Sequence, residues 1–156
     1  MSEELKDLSF GPVLEFQLSA RSNYFKGKPV PIGFALKNLT SKTLWILTWY
    51  TPLEGLKGNI FFIRCDDKEI PYRGILAKRG DPQSDSYVRI APNKMVSKDV
   101  DLSKAYNFPV SKNCSVQFHG RVYDLVVGED LLPRKRENHQ GIDLQGNSVT
   151  FGIIAP

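Results

Sequence analysis

Histidine and cysteine are the residue types here that most often perform catalysis or bind metal, and the chain has two of each. A catalytic zinc site uses three protein ligands, commonly with two histidines in a His-Glu-x-x-His segment. His119 and His139 lie twenty residues apart, and no such segment occurs. The spacing therefore predicts no metal site, and both histidines are interpreted as solvated or packed side chains.

Nucleophilic catalysis by cysteine requires a histidine within hydrogen-bonding reach. Cys114 precedes His119 by five residues, and an extended strand of that length would separate them by about 17 Å. Glycine patterns that bind phosphate, such as Gly-x-Gly-x-x-Gly, do not occur in the sequence. We therefore predict that the chain is not an enzyme, has no catalytic residues and uses no cofactor.

Cys65 and Cys114 are the two cysteines, and their pattern fits two interpretations. They could form a disulfide between the sheets of a sandwich domain. They could also be two separate buried thiols that behave as small apolar residues. The sequence favours the buried thiols and leaves the disulfide open.

The charge pattern bears on the class of partner. The net charge is +4, but the basic residues are dispersed among 17 acids, and the best cluster is the short Arg-Lys-Arg run at residues 134–136. This pattern predicts no nucleic-acid binding. No apolar run is long enough to span a membrane. The N-terminus does not resemble a signal peptide, so the chain is expected to be cytoplasmic, or secreted with its signal removed.

Short apolar segments with a period of two, separated by turn residues, predict β-strands along most of the chain. They fall at residues 13–19, 30–36, 44–50, 59–65, 87–90, 96–102, 115–125 and 148–153. One helical turn is predicted at residues 101–106. The prediction is an all-β fold, an antiparallel β-sandwich of seven or eight strands with an immunoglobulin-like Greek key. Residues 1–12 are predicted to be a flexible segment, and residues 13–156 a single domain.

Several details of the predicted strands are specific enough to check. The strand at 44–50 is apolar on both faces and should be central, whereas Pro29 and Pro31 place the start of the second strand at a sheet edge. A bulge at Gly120 would explain the change of phase in the strand at 115–125. The side chains expected in the core lie on the apolar phase of their strands: Phe16, Phe34, Leu36, Trp45, Leu47, Phe61, Val116, Phe118 and Phe151.

Residues 51–82 contain an unusual concentration of glycine, proline and charged residues. Pro52 presets a turn, and Gly55 and Gly58 are suited to positive φ. Glu54 is expected to accept hydrogen bonds from backbone amides there. The Lys-Arg pair at 78–79 fits an ordinary solvated loop, but loops on a rigid scaffold are also where binding residues concentrate.

The same stretch resembles a known family. The similar segments are Trp-Tyr-Thr-Pro-Leu-Glu-Gly at 49–55, Phe61, Tyr-Arg-Gly at 72–74 and Lys-Arg-Gly-Asp-Pro at 78–82. Together with later matches at residues 100–106, 132–134 and 146–151, they resemble the N-terminal prodomain of deuterolysin-type zinc endopeptidases, the aspzincins. The resemblance extends from residue 13 to residue 153.

That resemblance implies a protein that inhibits or chaperones a zinc endopeptidase, because the family's prodomain covers the peptidase cleft and assists folding. The family's peptidases favour lysine after the cut bond, so a basic side chain in a tight loop would block the cleft. Lys78 and Arg79 are the candidates, with Thr51 and Glu54 completing the predicted partner-binding set.

Three features depart from the family pattern. Tyr50 stands where the family usually has a small polar residue, Cys114 stands where glycine is common, and no peptidase domain follows before Pro156. The alternative hypothesis is a non-catalytic, immunoglobulin-like interaction module with an unrelated protein partner.

Overall fold

The computed structural model describes residues 12–128 and 132–156. Strands form nearly all of its regular structure, which confirms the all-β prediction. The strands in chain order are β1 Leu14–Ser19, β2 Asn23–Phe25, β3 Pro31–Asn38, β4 Leu44–Leu47, β5 Phe61–Cys65, β6 Lys68–Glu69, β7 Tyr87–Ile90, β8 Met95–Asp101, β9 Ser111–Phe118, β10 Arg121–Val122, β11 Leu125–Val127, β12 Ile142–Asp143, β13 Gln145–Gly146 and β14 Val149–Ile154. Except for Pro12, the predicted flexible segment 1–12 lies outside the described residues.

These strands form two larger sheets and two smaller ones. The larger sheets have the orders β13-β1-β3-β8 and β2-β14-β9-β5-β6, and the smaller ones β11-β4-β7 and β10-β12. Because β13 pairs with β1 and β2 pairs with β14 in parallel, the larger sheets are mixed. The prediction of a purely antiparallel sandwich with seven or eight strands was therefore wrong in detail. The two parallel strands have only two or three residues, too few to show an apolar period.

One hydrophobic core joins the two larger sheets. Phe118 on β9 lies 5.1 Å from Phe16 on β1 and 5.3 Å from Phe34 on β3, measured between ring centroids. Its ring is also 5.8 Å from that of Phe61 on β5. Every predicted core residue is buried except Trp45, which is half-buried against a smaller cluster of Leu47, Tyr87 and Val126.

The positions of β3 and β4 test two further predictions. β4 is the central strand of its sheet, as predicted, although it ends at Leu47. The start of β3 is not at a sheet edge, because β3 lies between β1 and β8. The proline is tolerated because the β1–β3 pairing ends at Ser19 and Gly33. Pro31 thus lies beyond the last β1 residue that could have bonded to its nitrogen.

The predicted strand 115–125 is interrupted rather than bulged. The chain leaves β9 after Phe118 and resumes as β10 and β11, with Gly120 in the gap. The change in apolar phase therefore marks the end of a strand. The predicted helical turn is present as a 3-10 turn at Leu102–Lys104, but it is not the only one, since others occur at Pro52–Glu54, Ser84–Ser86 and Arg136–Asn138.

Cys65 and Cys114 form a disulfide, so the preference for two separate thiols was wrong. The bond also lies within one sheet and not between two. In the register of β5 and β9 the two cysteines are direct partners, and their Cα atoms are 4.0 Å apart. This pairing depends on strand register, which the cysteine spacing does not reveal.

We expect reduction of this disulfide to lower the free energy of unfolding by about 2–4 kcal/mol, because the bond closes a long loop in the unfolded chain. The cysteines are 49 residues apart in sequence. Urea unfolding with and without reductant measures the change, and a Cys65→Ala, Cys114→Ala variant should show no response to reductant. Identical unfolding curves for the oxidised and reduced wild type would contradict the expectation.

Candidate functional site

Three loops meet beyond the end of β4, and we call them the loop cluster: residues 48–58, 73–82 and 132–140. The first contains Tyr50, whose φ of 60° lies in the left-handed region. A bulky residue adopts that conformation at a cost of about 1–3 kcal/mol, and such residues concentrate at functional sites. Thr51 follows, fully buried, and caps the 3-10 turn by accepting a hydrogen bond from the Leu53 amide at 3.2 Å.

A buried ion pair joins the first loop to the second. Glu54 Oε2 accepts a hydrogen bond from the Tyr50 amide at 2.7 Å and lies 2.5 Å from Arg79 Nη2. The two side chains are only 7% and 8% exposed. The prediction that Glu54 accepts from a backbone amide is confirmed, and the bond holds Tyr50 in its strained conformation. Gly55 has the predicted positive φ of 89°, whereas Gly58 is outside that region.

Arg79 also contacts two aromatic rings. Its guanidinium carbon is 4.8 Å from the ring centroid of Trp49 and 4.8 Å from that of Tyr50. A desolvated cation over aromatic faces gains about 2 kcal/mol or more. With its charge paired and its planar group covered, Arg79 fixes the second loop to the first. Of the two basic residues predicted to face a partner, only Lys78 is exposed.

The exposed residues of the second loop include two large apolar side chains and Lys78, besides Arg73, Gly80 and Asp81. Ile75 is 64% exposed and Leu76 is 72% exposed, and we call residues 75–78 the tip. The Ala77 amide donates to the Lys57 carbonyl at 3.0 Å, and the Tyr72 hydroxyl donates to the Ile75 carbonyl. These bonds, with Arg79 on the C-terminal side, order a loop whose side chains nevertheless face solvent.

The third loop packs against the second through Arg136. Its amide donates to Asp81 Oδ1 at 2.9 Å, and its Nη1 donates to the Arg79 carbonyl at 2.9 Å. The basic run at 134–136 is therefore largely engaged within the chain. The Lys135 carbonyl accepts from the Asn138 amide at 2.8 Å, whereas its exposed ammonium group has no hydrogen-bond partner within the described part of the chain.

The third loop is anchored below by Asp124, which is completely buried. Its carboxylate accepts from Arg134 Nη2 at 2.5 Å and Nε at 3.1 Å. It also accepts from the Tyr87 hydroxyl at 2.6 Å and the Gln140 amide at 2.9 Å. Burial raises the pKa of Tyr87, and its hydrogen bond to Asp124 raises that pKa further. The phenol therefore stays a donor at any physiological pH.

Sequence reasoning missed Asp124. The available signal was a single acid directly before the apolar Leu-Val-Val run at 125–127, in a segment interpreted as one strand. A buried carboxylate needs a cationic partner, and the nearest basic residues in sequence are Arg121 and those at 134–136. Only the fold shows that Arg134 is the residue that pairs with Asp124.

The contacts of the loop cluster fix its three loops relative to one another. The cluster contains no recognisable catalytic pair. His139 Nε2 lies 3.0 Å from the Arg134 carbonyl, a contact within the third loop. Within residues 12–128 and 132–156, no group of three His, Cys, Asp or Glu side chains could hold a metal ion. Over the same residues, no helix is long and apolar enough to cross a membrane.

Comparison with known proteins adds no assignment to this geometry. The chain matches no protein-family model, and no curated protein matches it. The contacts of the loop cluster itself are therefore the basis for inferring a function.

Proposed function

We propose that the chain is a non-catalytic binding protein that inhibits or chaperones a deuterolysin-type zinc endopeptidase through the tip. The observation that carries the proposal is the contrast between the tip and its support. Ile75, Leu76 and Lys78 face solvent, while Arg79 directly beside them is buried in an ion pair with Glu54. An ordered loop loses less conformational entropy when it binds than a flexible one.

The chemistry of the tip suits a peptidase cleft. The family resemblance implies a cleft with acidic residues and a preference for lysine, which Lys78 would satisfy. The two apolar side chains beside it supply area that is removed from water on binding. In this proposal Arg79, Glu54 and Thr51 position the loop and do not contact the peptidase.

We expect Lys78→Ala to weaken inhibition of a deuterolysin-type peptidase by at least about tenfold, which corresponds to 1.4 kcal/mol. A charge that is paired in the complex and then removed leaves its acidic partner buried and unpaired. Residual peptidase activity against titrated protein gives the inhibition constant. Because Lys78 is exposed, its loss should leave the thermal midpoint of the free protein unchanged.

Lys135→Ala is the matched control, since it removes an exposed lysine from the neighbouring loop and should leave inhibition unchanged. Glu54→Gln tests whether the ion pair with Arg79 positions the tip. The substitution removes the charge that pairs with Arg79 and changes no residue of the tip, so inhibition should fall although Lys78 is intact. Wild-type protein that does not inhibit at high micromolar concentration would refute the inhibitor hypothesis.

The second candidate is an interaction module with an unrelated protein partner. The specific observation in its favour is the apolar character of the tip, because Ile75 and Leu76 at 64% and 72% exposure would suit many protein surfaces. Inhibition separates the two candidates, since only a peptidase-directed protein blocks peptide cleavage.

We also propose that the two larger sheets have the immunoglobulin-like Greek-key arrangement. In support, β9 lies between β14 and β5, β3 lies between β1 and β8, and aromatic rings from both sheets meet at Phe118. The parallel edge pairings would then be additions to that arrangement. A crystal structure tests the connectivity directly.

A further inference from the structure

The outer edge of β8 offers a row of unpaired backbone groups. β8 has seven residues and is the last strand of its sheet. The Asn38 amide donates to the Lys94 carbonyl, and the Leu102 amide donates to the Val30 carbonyl, each at 2.9 Å. In an antiparallel pair, the backbone N–H and C=O groups of successive residues point alternately toward the partner strand and away from it. Because Lys94 bonds to the last residue of β3 and Leu102 to the residue just before β3, the backbone groups of the even-numbered residues of β8 point toward β3.

The odd-numbered residues of β8 therefore direct their N–H and C=O groups away from the sheet: Met95, Ser97, Asp99 and Asp101. In residues 12–128 and 132–156 these backbone groups have no hydrogen-bond partner. A long edge of unpaired backbone groups is a template for another strand unless the protein blocks it. The Pro52–Glu54 turn lies near β8, where Lys98 Nζ donates to the Leu53 carbonyl at 3.5 Å, but it does not bond to these backbone groups. No proline interrupts β8, and β3 pairs with all seven of its residues.

A groove runs along part of this edge, with a volume of about 370 Å³. One wall is the C-terminal half of β8, including Lys98 and Val100. The opposite wall belongs to the loop cluster and includes Leu56 and Ile75, and Lys104 lines the groove as well. The site thus combines free backbone hydrogen-bonding groups with an apolar wall, two lysines and two aspartates, Asp99 and Asp101.

We propose that β8 binds an extended segment of a partner protein by strand addition in this groove. Main-chain hydrogen bonds supply affinity in this mode, and alternate side chains supply specificity. On the groove side the segment carries an apolar residue opposite Val100 and an acid opposite Lys98. On the other face it carries a basic residue opposite Asp99.

A second copy of the chain is a poor occupant. The only antiparallel register that pairs all seven residues of two β8 strands centres on Lys98 and places it opposite its own copy. Like charges in directly opposed positions destabilise a strand pair. Charge therefore favours a partner with the complementary pattern.

The test uses a synthetic heptapeptide of sequence Lys-Val-Lys-Glu-Thr-Val-Thr, which reads antiparallel to β8 from Asp101 to Met95. Its third and fifth residues lie opposite Asp99 and Ser97, so their amides face β8. We expect saturable binding by fluorescence polarisation. N-methylation of those two amides should weaken binding by about tenfold or more, because each methyl group removes an N–H that donates a hydrogen bond to β8. Methylation of the second and fourth amides, which face away, should not.

On the protein side, Ser97→Pro removes an outward N–H at an edge position where proline is tolerated. We expect it to abolish peptide binding, while Ser97→Ala binds normally and circular dichroism shows both variants folded. Equal effects of the two methylation patterns, no binding at millimolar peptide, or self-association of the wild type that Ser97→Pro abolishes would overturn the proposal. These variants do not change Lys78. Peptidase inhibition therefore tests the proposed function, and peptide binding tests strand addition at β8, independently of each other.

Discussion

Replacement of Asp124 by alanine is expected to lower the free energy of unfolding by about 3–5 kcal/mol, because it leaves the Arg134 charge buried without its counter-ion. Asp124 is fully buried, and the Arg134 side chain is 11% exposed. The variant also removes the acceptor for the Tyr87 hydroxyl and the Gln140 amide. Chemical unfolding in urea, followed by fluorescence, measures the change.

Asp143→Ala is the matched control for that measurement. Asp143 is also an aspartate paired with an arginine, Arg121, but the side chains are 91% and 44% exposed. Exposed ion pairs contribute about 0–1 kcal/mol, so this variant should unfold nearly as the wild type does. A similar loss of stability in both variants would show that burial does not govern the Asp124 effect.

Phe118→Ala is expected to cost about 3–5 kcal/mol, because it removes a ring from the middle of the core and leaves a cavity. The ring is 7% exposed and contacts three other phenylalanines from both larger sheets. The thermal midpoint should fall by several degrees. Phe25→Ala, at a residue that is 52% exposed, should have a much smaller effect, and a midpoint unchanged in Phe118→Ala would contradict the packing of the core.

The core was predictable because strand burial follows sequence alternation. β1 alternates buried and exposed residues along its whole length, and β3 alternates buried and half-buried ones, so Phe16 and Phe34 could be assigned to the interior from their positions alone. Trp45 was misassigned because β4 is apolar on both faces, and alternation then gives no phase. Strands of two residues, such as β13, are too short for any period.

The contacts of the site were predictable only in part. Turn chemistry at residues 51–55 correctly indicated the capped turn and the role of Glu54 as an acceptor. The partner of Glu54 is 25 residues away at Arg79, and the pairing depends on how two loops meet. Arg79 was predicted to face a partner because the family resemblance implied a basic side chain that blocks the peptidase cleft, but here a carboxylate and two aromatic rings bury it.

The disulfide also could not be predicted from the sequence, because it depends on strand register. Cys65 and Cys114 become neighbours through the register of β5 and β9. Register depends on the full pattern of side-chain packing between strands. Two cysteines in a sequence are therefore compatible with both a bond and two separate thiols until the register is known.

Hydrogen exchange with mass spectrometry, on the chain alone and with an inactivated deuterolysin-type peptidase, tests the role of the tip most directly. We predict that binding slows exchange at the backbone amides of residues 74–80, since a docked loop is closed to solvent, and that Lys78→Ala reduces this protection at equal peptidase concentration. Protection confined to strands and loops away from residues 74–80, or no protection at any concentration, would contradict the assignment of the tip as the binding surface.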